Sequence, residues 1–237
     1  MRILDLSLPT PAENLALDEA LLEEAEAAAQ PLETLRFWEP QQYIVVVGRS
    51  SRIETEVHRD VCSELGIPIL RRPSGGAAIV TGPGCLMYAL VLDCENHPVL
   101  RAINQAHSFI LSTLAQALVP SVYEVCCQGT SDLAYDRCKF SGNSMRRRHR
   151  HLLYHGTILY DFSLEMIDRC LKMPPRMPDY RGCRPHKTFV KNLPLSAAEI
   201  RLALVTAWNA LEPCNDWPRE LTARLAIEKY GNPQWNE

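Results

Sequence analysis

Two short, almost wholly apolar runs constrain the fold of this chain more than any other feature. They are Tyr43–Val47 (YIVVV) and Leu86–Leu92 (LMYALVL). Continuous apolar runs of this length are typical of buried strands rather than of strands with one wet face. The first run stops at Gly48 and the second follows Gly82-Pro83-Gly84, so each is bounded by a turn signal. We therefore expect a sheet with a buried interior.

Shorter strand patterns and amphipathic helix patterns alternate through the rest of the chain. We predict further strands at Ile3–Leu6, Leu35–Trp38, Ile67–Leu70, Val122–Val125, Asp132–Tyr135 and Leu152–Tyr160. We predict helices at Ala12–Ala29, Glu54–Leu65, Ala102–Leu118, Phe162–Met173, Ser196–Leu211 and Arg219–Lys229. Asn14 is a candidate cap of the first helix, Gly66 closes the second, and Ser196 with Glu199 has a capping-box pattern. This order predicts an α+β (mixed α/β) fold, with one domain over residues 1–237.

Composition excludes several classes of protein. A net charge of −3 over 237 residues does not suggest a nucleic-acid partner. The nine cysteines show no paired spacing of the zinc-site kind. The amino terminus has no basic segment followed by a long apolar run, and no stretch approaches the ~20 apolar residues of a membrane span. We therefore expect a protein of the reducing cytoplasm that does not enter a membrane.

The segment Arg71–Val80 (RRPSGGAAIV) is a candidate anion site. The guanidinium forks of Arg71 and Arg72 suit phosphate or carboxylate. Gly75 and Gly76 let backbone N–H groups approach an anion closely. The pattern is neither a Walker A loop nor a dinucleotide fingerprint. A glycine turn flanked by solvated arginines explains the same residues, so the segment alone does not decide between the two.

Polar residues at three further places could carry chemistry. Lys139 lies beside Ser141-Gly142-Asn143-Ser144, where an ammonium could stabilise charge that develops on an oxygen. His155-Gly156-Thr157 interrupts an apolar strand, and Asp132 begins another. A surface lysine, a core histidine and a turn aspartate are the alternatives.

The basic run Arg146–His151 (RRRHRH) lies between two strands and reads as a hairpin tip. It is either a solvated tip, or a mobile loop that closes over an anion or docks an acidic partner. Among the thiols, Cys183 has arginines on both sides, which favours a reactive thiolate. Cys126 and Cys127 are the other candidates, and a bystander role is the alternative for all three.

The order of the motifs says more than any one of them. The motifs are NLALDEALL (Asn14–Leu22), RRPSGGAA (Arg71–Ala78), SDLAYDRCKFSGNS (Ser131–Ser144), HGTIL (His155–Leu159) and KYGNPQWN (Lys229–Asn236). In this order, over nearly the whole chain, the sequence resembles the lipoate–protein ligase A family. The wider group also holds octanoyltransferases and biotin ligase catalytic domains. The resemblance implies a central mixed β-sheet flanked by helices.

The resemblance also implies an activity. Family ligases join lipoate and ATP into lipoyl-AMP, then pass the acyl group to a lysine of a lipoyl carrier domain, such as a 2-oxoacid dehydrogenase E2 or a glycine cleavage H protein. The implied ligands are ATP, Mg²⁺ and lipoic or octanoic acid. Two alternatives stay open: a cysteine-dependent octanoyl or lipoyl transferase acting from an acyl carrier protein, and a non-catalytic binder of lipoyl-adenylate or of a carrier domain.

By the same resemblance, Lys139 would bridge the acyl carbonyl oxygen and the α-phosphate, which makes it the main catalytic candidate. Asp132 would lie near the adenylate, with a magnesium ion as a further expectation. The residues expected to bind the acyl-adenylate are Arg71, Arg72, Ser74, Gly75, Gly76, Ala77, Ala78, Asp132, Gly142, Asn143, His155, Gly156 and Thr157. For a transferase, Cys183 or Cys127 would be the nucleophile.

Three departures from the family pattern stand out. Ala77 occupies the place of a usual third glycine, and a usual histidine is replaced near Thr81-Gly82. The chain also ends soon after Trp235, whereas larger ligases continue into a further domain. Three alternatives stay open: an accessory subunit replaces this domain, the enzyme works without it, or the protein is a transferase that never makes an adenylate.

Overall fold

The structure is a computed structural model that describes residues 1–237. Its strands are β1 (Arg2–Asp5), β2 (Thr34–Trp38), β3 (Ile44–Val47), β4 (Ile69–Arg71), β5 (Ile79–Thr81), β6 (Cys85–Asp93), β7 (Cys126–Gln128), β8 (Asp132–Tyr135), β9 (Cys138–Arg147), β10 (His151–Leu159) and β11 (Glu212–Pro213). Its α-helices are α1 (Pro11–Ala27), α2 (Ile53–Glu56), α3 (Arg59–Glu64), α4 (Ile103–Leu118), α5 (Glu165–Cys170), α6 (His186–Phe189), α7 (Ala197–Ala207), α8 (Arg219–Leu225) and α9 (Pro233–Asn236).

The strands form two sheets. The large sheet has the order β11-β1-β2-β6-β10-β9-β8-β7, and the small one has the order β4-β3-β5. Parallel and antiparallel pairs occur in both. The two apolar runs form β3 and β6, whose residues are all buried. The predicted mixed α/β fold with a central mixed sheet flanked by helices is confirmed.

Two large apolar clusters hold the sheets together. One face of the large sheet packs on α4 and α7 through residues such as Leu90, Leu114 and Leu204. The small sheet packs against α5 and the chain's last turns through residues such as Val46, Ile167 and Tyr230. The cleft described below lies where strands of the large and small sheets face each other. None of the helices combines the length and the apolar character needed to cross a bilayer.

Several predicted boundaries need correction. Helix α1 is capped by Thr10 and not by Asn14: the Thr10 hydroxyl accepts from the Glu13 amide at 3.2 Å, and the Glu13 carboxylate accepts from the Thr10 amide at 2.9 Å. The predicted helix over 54–65 is two helices, because Val57 leaves the helix and forms a β-bridge with Leu171. Gly66 closes α3 at φ +65°, as predicted.

Two further predicted elements differ from the structure in their position or length. The strand predicted at Val122–Val125 lies at Cys126–Gln128 instead, and the helix predicted over Phe162–Met173 is formed only from Glu165 to Cys170. The capping box of Ser196 and Glu199 is confirmed. Helix α8 ends at Leu225, and the wider turn of a π-helix follows over Ala226–Tyr230.

Candidate functional site

The anion-site segment is a loop that connects β4 to β5. Inside it, the buried guanidinium of Arg72 donates to the carbonyl oxygens of Val46 at 3.0 Å, Gly75 at 2.7 Å and Ala77 at 2.9 Å. Burial lowers the pKa of Arg72 to about 10, while the nearby Glu56 carboxylate favours the charged form. Arg72 therefore stays cationic at neutral pH and holds the loop in its curve.

Arg71 faces the other way. Its guanidinium donates to the carbonyl oxygens of Gly48 at 2.7 Å, Ser51 at 2.9 Å, Trp235 at 3.0 Å and Glu237 at 2.8 Å. The indole Nε1 of Trp235 donates in return to the Arg71 carbonyl oxygen at 2.8 Å. Arg71 thus fastens α9 to β4, and the structure does not bring its guanidinium into the cleft.

The loop glycines allow close backbone contacts. Gly76 has φ +91°, a left-handed conformation that glycine adopts without strain. The next two positions are alanines, and the Ala78 amide donates to the Glu56 carboxylate at 2.6 Å. One backbone donor of the predicted anion site is therefore occupied by a carboxylate of the protein itself.

Lys139 enters the cleft from β9, across from β8. Its Nζ lies 2.7 Å from Oδ1 of Asp132, and the Tyr180 hydroxyl donates to Oδ2 of the same carboxylate at 2.8 Å. Burial and the Asp132 charge raise the pKa of Tyr180, so Tyr180 remains a donor. A Cβ on Gly142 would lie 2.8 Å from Lys139 Nζ, so a larger residue there would displace the ammonium. The ammonium is thus held in one place by a fixed carboxylate.

A second polar group lies on β9 and β10, where Asn143 pairs with Gly156. The Tyr88 hydroxyl donates to Asn143 Oδ1 at 2.5 Å, and the Asn143 Nδ2 donates to the Ser131 carbonyl oxygen at 2.9 Å. A Cβ on Gly156 would lie only 1.9 Å from Asn143 Oδ1. Gly156 therefore leaves the room that the Asn143 amide occupies, and two hydrogen bonds hold this amide in the lining of the cleft.

The cleft has two lobes that meet at Lys139. We name them the His155 lobe and the Phe189 lobe; both are lined by Ala77–Ile79, Lys139, Gly142 and Thr157. Including their open mouths, the His155 lobe and the Phe189 lobe enclose about 640 and 740 Å³. The His155 lobe adds Leu15, Val46, Arg72, Gly76, Met87, Ser131, Asp132, Asn143, Ser144, His155 and Gly156. The Phe189 lobe adds Glu56, Val80, Phe140, Ser141, Leu159, Ile167, Leu171, Lys172, Pro174, Arg181, His186, Phe189 and Val190.

Most of the predicted site residues line these lobes. Arg71, Ser74 and Gly75 do not, although Ser74 and Gly75 belong to the loop that forms one wall. Sequence reasoning missed Glu56, Tyr180, Arg181 and His186. Glu56 and Tyr180 bond to Ala78 and Asp132, which are 22 and 48 residues away, whereas Arg181 and His186 contact each other within one segment. The aromatic and cationic character of that segment was a signal for Tyr180, Arg181 and His186, but not for Glu56.

The three candidate thiols are placed differently. Cys183 lies in an exposed left-handed turn with φ +59° and lines neither lobe. On β7, Cys126 lies opposite Ala134 and Cys127 opposite Leu133. Because side chains alternate along a strand, Cys126 shares the face of Asp132, and Cys127 shares the face of the core residue Leu133. Cys126 is thus the exposed thiol on the face that carries Asp132.

The basic hairpin tip is not a cover for the cleft. Arg148 forms an ion pair with Glu23, and the backbone amides of His149, Arg150 and His151 donate to the Glu26 carboxylate at 3.0 to 3.1 Å. The tip is therefore held on the carboxyl end of α1, and the expectation of a mobile loop closing over an anion is wrong.

Comparisons with known proteins show the family of the chain. Residues 10–206 match the family model of the lipoyl protein ligase A/B catalytic domain. The chain is 24% identical to lipoate–protein ligase 1 of Staphylococcus aureus, over 97% of this chain and 71% of the relative. It is 26% identical to the octanoyltransferase LipM of Geobacillus kaustophilus, over 99% of this chain and 97% of the relative.

Solved structures give the same picture of the fold. A structure from Thermoplasma acidophilum, described as a bi-partite lipoate protein ligase and its E2 lipoyl domain, superposes with a TM-score of 0.84 at 23% identity, covering 99% of this chain and 95% of that one. A lipoate–protein ligase A bound with ATP superposes with a TM-score of 0.82 at 21% identity, covering 99% and 97%. At these identities the likeness establishes the fold.

Proposed function

The chain belongs to the family of lipoyl protein ligase A/B catalytic domains, and we propose that it is a lipoate–protein ligase. It activates lipoate or octanoate with ATP and transfers the acyl group to a lysine of a lipoyl carrier domain. The observation that carries the proposal is the Lys139 ammonium at the junction of two lobes, fixed by Asp132 at 2.7 Å. A cation between two pockets suits a reaction that joins two anionic substrates.

We place the acyl group in the His155 lobe, whose floor includes the apolar side chains of Leu15, Val46 and Met87. The nucleotide then occupies the Phe189 lobe, where aromatic rings and the Arg181 guanidinium line the wall. In this arrangement the acyl carboxylate and the α-phosphate meet at Lys139.

The adenylation step follows from that placement. A carboxylate oxygen of the acid attacks the α-phosphorus, the bond to the pyrophosphate oxygen breaks, and pyrophosphate leaves. Negative charge on the non-bridging oxygens grows next to the Lys139 ammonium. A positioned donor of this kind is worth ~3–4 kcal/mol in other enzymes. The ion pair with Asp132 keeps the ammonium in place, and Gly142 leaves room for it.

The transfer step uses the same group. The lysine amine of the carrier domain attacks the acyl carbonyl carbon, an amide bond forms, and AMP leaves as the amine loses its proton. The oxygen that becomes negative again lies beside Lys139. Since the mixed anhydride reacts with water, the buried wall formed by Phe140 and Phe189 protects it.

Magnesium fits this site only with help from the substrate. No group of three or more His, Cys, Asp or Glu side chains is arranged to hold a metal ion. Mg²⁺ in nucleotide sites commonly binds one or two carboxylates together with phosphates and water. Asp132 would be its protein ligand, and the ion would supply charge neutralisation of the phosphates.

A cysteine-dependent acyltransferase is the second candidate function. The observation that favours it is the exposed thiol of Cys126 on the strand face of Asp132, although Cys126, like Cys183, lines neither lobe. In that reaction the Cys126 thiolate attacks the thioester carbonyl of an acyl carrier protein, and the carrier thiol leaves. The lysine amine of the acceptor domain then displaces the enzyme thiol. Cys127 and Cys183 remain the other candidate nucleophiles.

One experiment separates the two functions. The protein is incubated with lipoate or octanoate, Mg-ATP and an apo lipoyl domain, and pyrophosphate release and the mass of the domain are measured. A ligase releases pyrophosphate and adds one acyl group to the domain. Transfer from octanoyl-acyl carrier protein without ATP, and no pyrophosphate with any medium-chain acid, would refute the ligase and support the transferase.

Matched variants test the residue roles. Lys139→Met should lower ligation about 10²–10³-fold. Lys191→Met is the control, because Lys191 forms an ion pair of 2.8 Å with Asp136 but lines neither lobe. Cys126→Ser should leave a ligase unaffected and inactivate a Cys126 transferase.

We also propose an accessory subunit, because the T. acidophilum neighbour is described as bi-partite.

A further inference from the structure

The motif of helix α1, Asn14–Leu22, contains a buried carboxylate that the proposed chemistry does not use. Asp18 is 2% exposed, and its two oxygens face different partners. Oδ1 accepts from Arg36 at 2.5 Å, and Oδ2 lies 3.7 Å from Nδ1 of His155. Arg36 also donates to the carbonyl and side-chain oxygens of Asn14, both at 2.7 Å. The carboxylate is therefore fixed between a buried cation and an imidazole.

His155 extends this line of contacts to the loop. Its Nε2 lies 2.5 Å from the hydroxyl oxygen of Ser74, which directly precedes Gly75 and Gly76. The Ser74 carbonyl oxygen accepts from the Arg49 amide at 2.8 Å, so the backbone at Ser74 is held from a second side. A continuous chain of polar contacts thus runs from α1 through β10 into the loop that lines both lobes.

The order serine, histidine, aspartate is also that of a hydrolase triad, but Ser74 cannot act as a nucleophile here. Its side chain is buried, with 1% of the residue exposed, and it lines neither lobe. A nucleophile must reach the acyl carbonyl carbon, and this hydroxyl does not.

We propose that Asp18 is a positioning residue, which acts through His155 on the Ser74 hydroxyl and so fixes the Gly75–Ala78 backbone. A carboxylate facing Nδ1 favours the tautomer that carries its proton there. Nε2 then accepts a hydrogen bond that the Ser74 hydroxyl donates. This inference rests on the proposed function only for its activity readout.

The test uses two variants, each of which removes one end of the chain of contacts from Asp18 through His155 to Ser74. Asp18→Asn removes the charge next to His155, and Ser74→Ala removes the hydroxyl without depriving Arg36 of its counter-ion. The control is Asp93→Asn. The Asp93 carboxylate lies 3.4 Å from Nε2 of His151, both side chains are fully buried, and His151 is on the same strand as His155.

The first readout needs no substrate. Nitrogen-15 NMR of histidine-labelled protein, with the His155 signals assigned by His155→Gln, reports which ring nitrogen carries the proton. We expect Nδ1–H in the wild type, a mixture of tautomers in Asp18→Asn, a shifted Nε2 signal in Ser74→Ala, and unchanged His155 signals in Asp93→Asn. Nε2–H in the wild type, or no response to either cut, would overturn the proposal.

The second readout is kinetic. Both cuts should lower kcat/KM for the acyl substrate about 10–100-fold, mainly through KM, since a displaced loop weakens binding in both lobes. Asp93→Asn should keep wild-type kinetics even if its Tm falls as far as the Tm of Asp18→Asn and Ser74→Ala. Equal kinetic losses in all three variants would show a merely structural effect and refute the positioning role. A wild type with the expected tautomer but no turnover of any acyl substrate would refute the proposed function, and the NMR comparison would still decide the role of Asp18.

Discussion

Gly48 offers the sharpest test of the idea that the loop geometry sets activity. A Cβ built on Gly48 would lie 1.9 Å from the Gly76 carbonyl oxygen, whereas real Cβ atoms stay at least 3.0 Å from such an atom. In Gly48→Ala the loop must therefore move by the difference, about 1.1 Å. The obstacle is a backbone atom, so no side-chain rotation can relieve the contact.

A displacement of this size has a predictable cost. Misplacing a binding element by ~1 Å can cost ~10²-fold in rate. We expect Gly48→Ala to lower kcat/KM for lipoate by about that factor, measured as pyrophosphate release at limiting lipoate with an apo lipoyl domain present. Circular dichroism and Tm should show a folded protein, because β3 itself is unchanged.

The control for this variant is Gly66→Ala. Gly66 has φ +65° and open space around it, so an alanine there is strained by about 1–2 kcal/mol but meets no other atom. It lies at the end of α3 and lines neither lobe. Wild-type kinetics in Gly48→Ala, or an equal loss in both variants at equal Tm, would refute the reasoning.

Three further perturbations test separate contacts. Glu56→Gln removes a negative charge bonded to the Ala78 amide at 2.6 Å, so affinity for ATP should rise several-fold in isothermal titration; an unchanged or weaker affinity would contradict this. Arg71→Met removes the charged donor that bonds to the carbonyl oxygens of Trp235 and Glu237, and each such bond is worth ~1.5–3 kcal/mol. Amide hydrogen exchange at residues 233–237 should therefore accelerate. Unchanged protection would count against the anchoring role of Arg71. Burial lowers the pKa of His107 from its ordinary value of 6.5. As the pH falls, His107 of the unfolded chain therefore binds a proton before His107 of the folded protein does, so the free energy of unfolding should decrease between pH 6.5 and the lowered pKa. His107→Gln should reduce the shift of the urea midpoint between about pH 7.5 and pH 5.5, and an identical shift in both proteins would contradict the sign.

The sequence predicts the central strands because the evidence for them is local. Tyr43–Val47 and Leu86–Leu92 are apolar at nearly every position, and no partner needs to be known to infer their burial. The helix over 54–65 fails for the opposite reason. Its break at Val57 is caused by pairing with Leu171, more than a hundred residues away, which a local pattern does not contain.

The two adjacent arginines show both the reach and the limit of the motif. The loop that they introduce lies at the wall of the cleft, but of the two arginines only Arg72 lines it. Arg71 is the last residue of β4. Because side chains alternate along a strand, its guanidinium points to the side opposite that of Arg72 and contacts the end of the chain beside α9. That alternation was available in the sequence, whereas the position of α9 was not.

The polar partners were harder to infer than the motifs. Asp18 and Glu56 are unremarkable acidic residues on helices in the sequence, and their roles appear only when His155 and Ala78 come next to them. Lys139 and Asp132 received their expected roles only through the resemblance carried by the motif Ser131–Ser144. Tyr180, which completes their contacts, arrives from a separate segment.

The fastening of α9 has a consequence for how this protein can be observed. The Trp235 indole donates to the backbone of Arg71, which immediately precedes the loop residue Arg72, and the Lys229 ammonium lies 4.2 Å from the centre of its ring. Indole emission responds to nearby charge and to hydrogen bonding at Nε1. Trp235 is therefore a built-in optical probe of the loop, and a ligand that shifts β4 would change its fluorescence without any label.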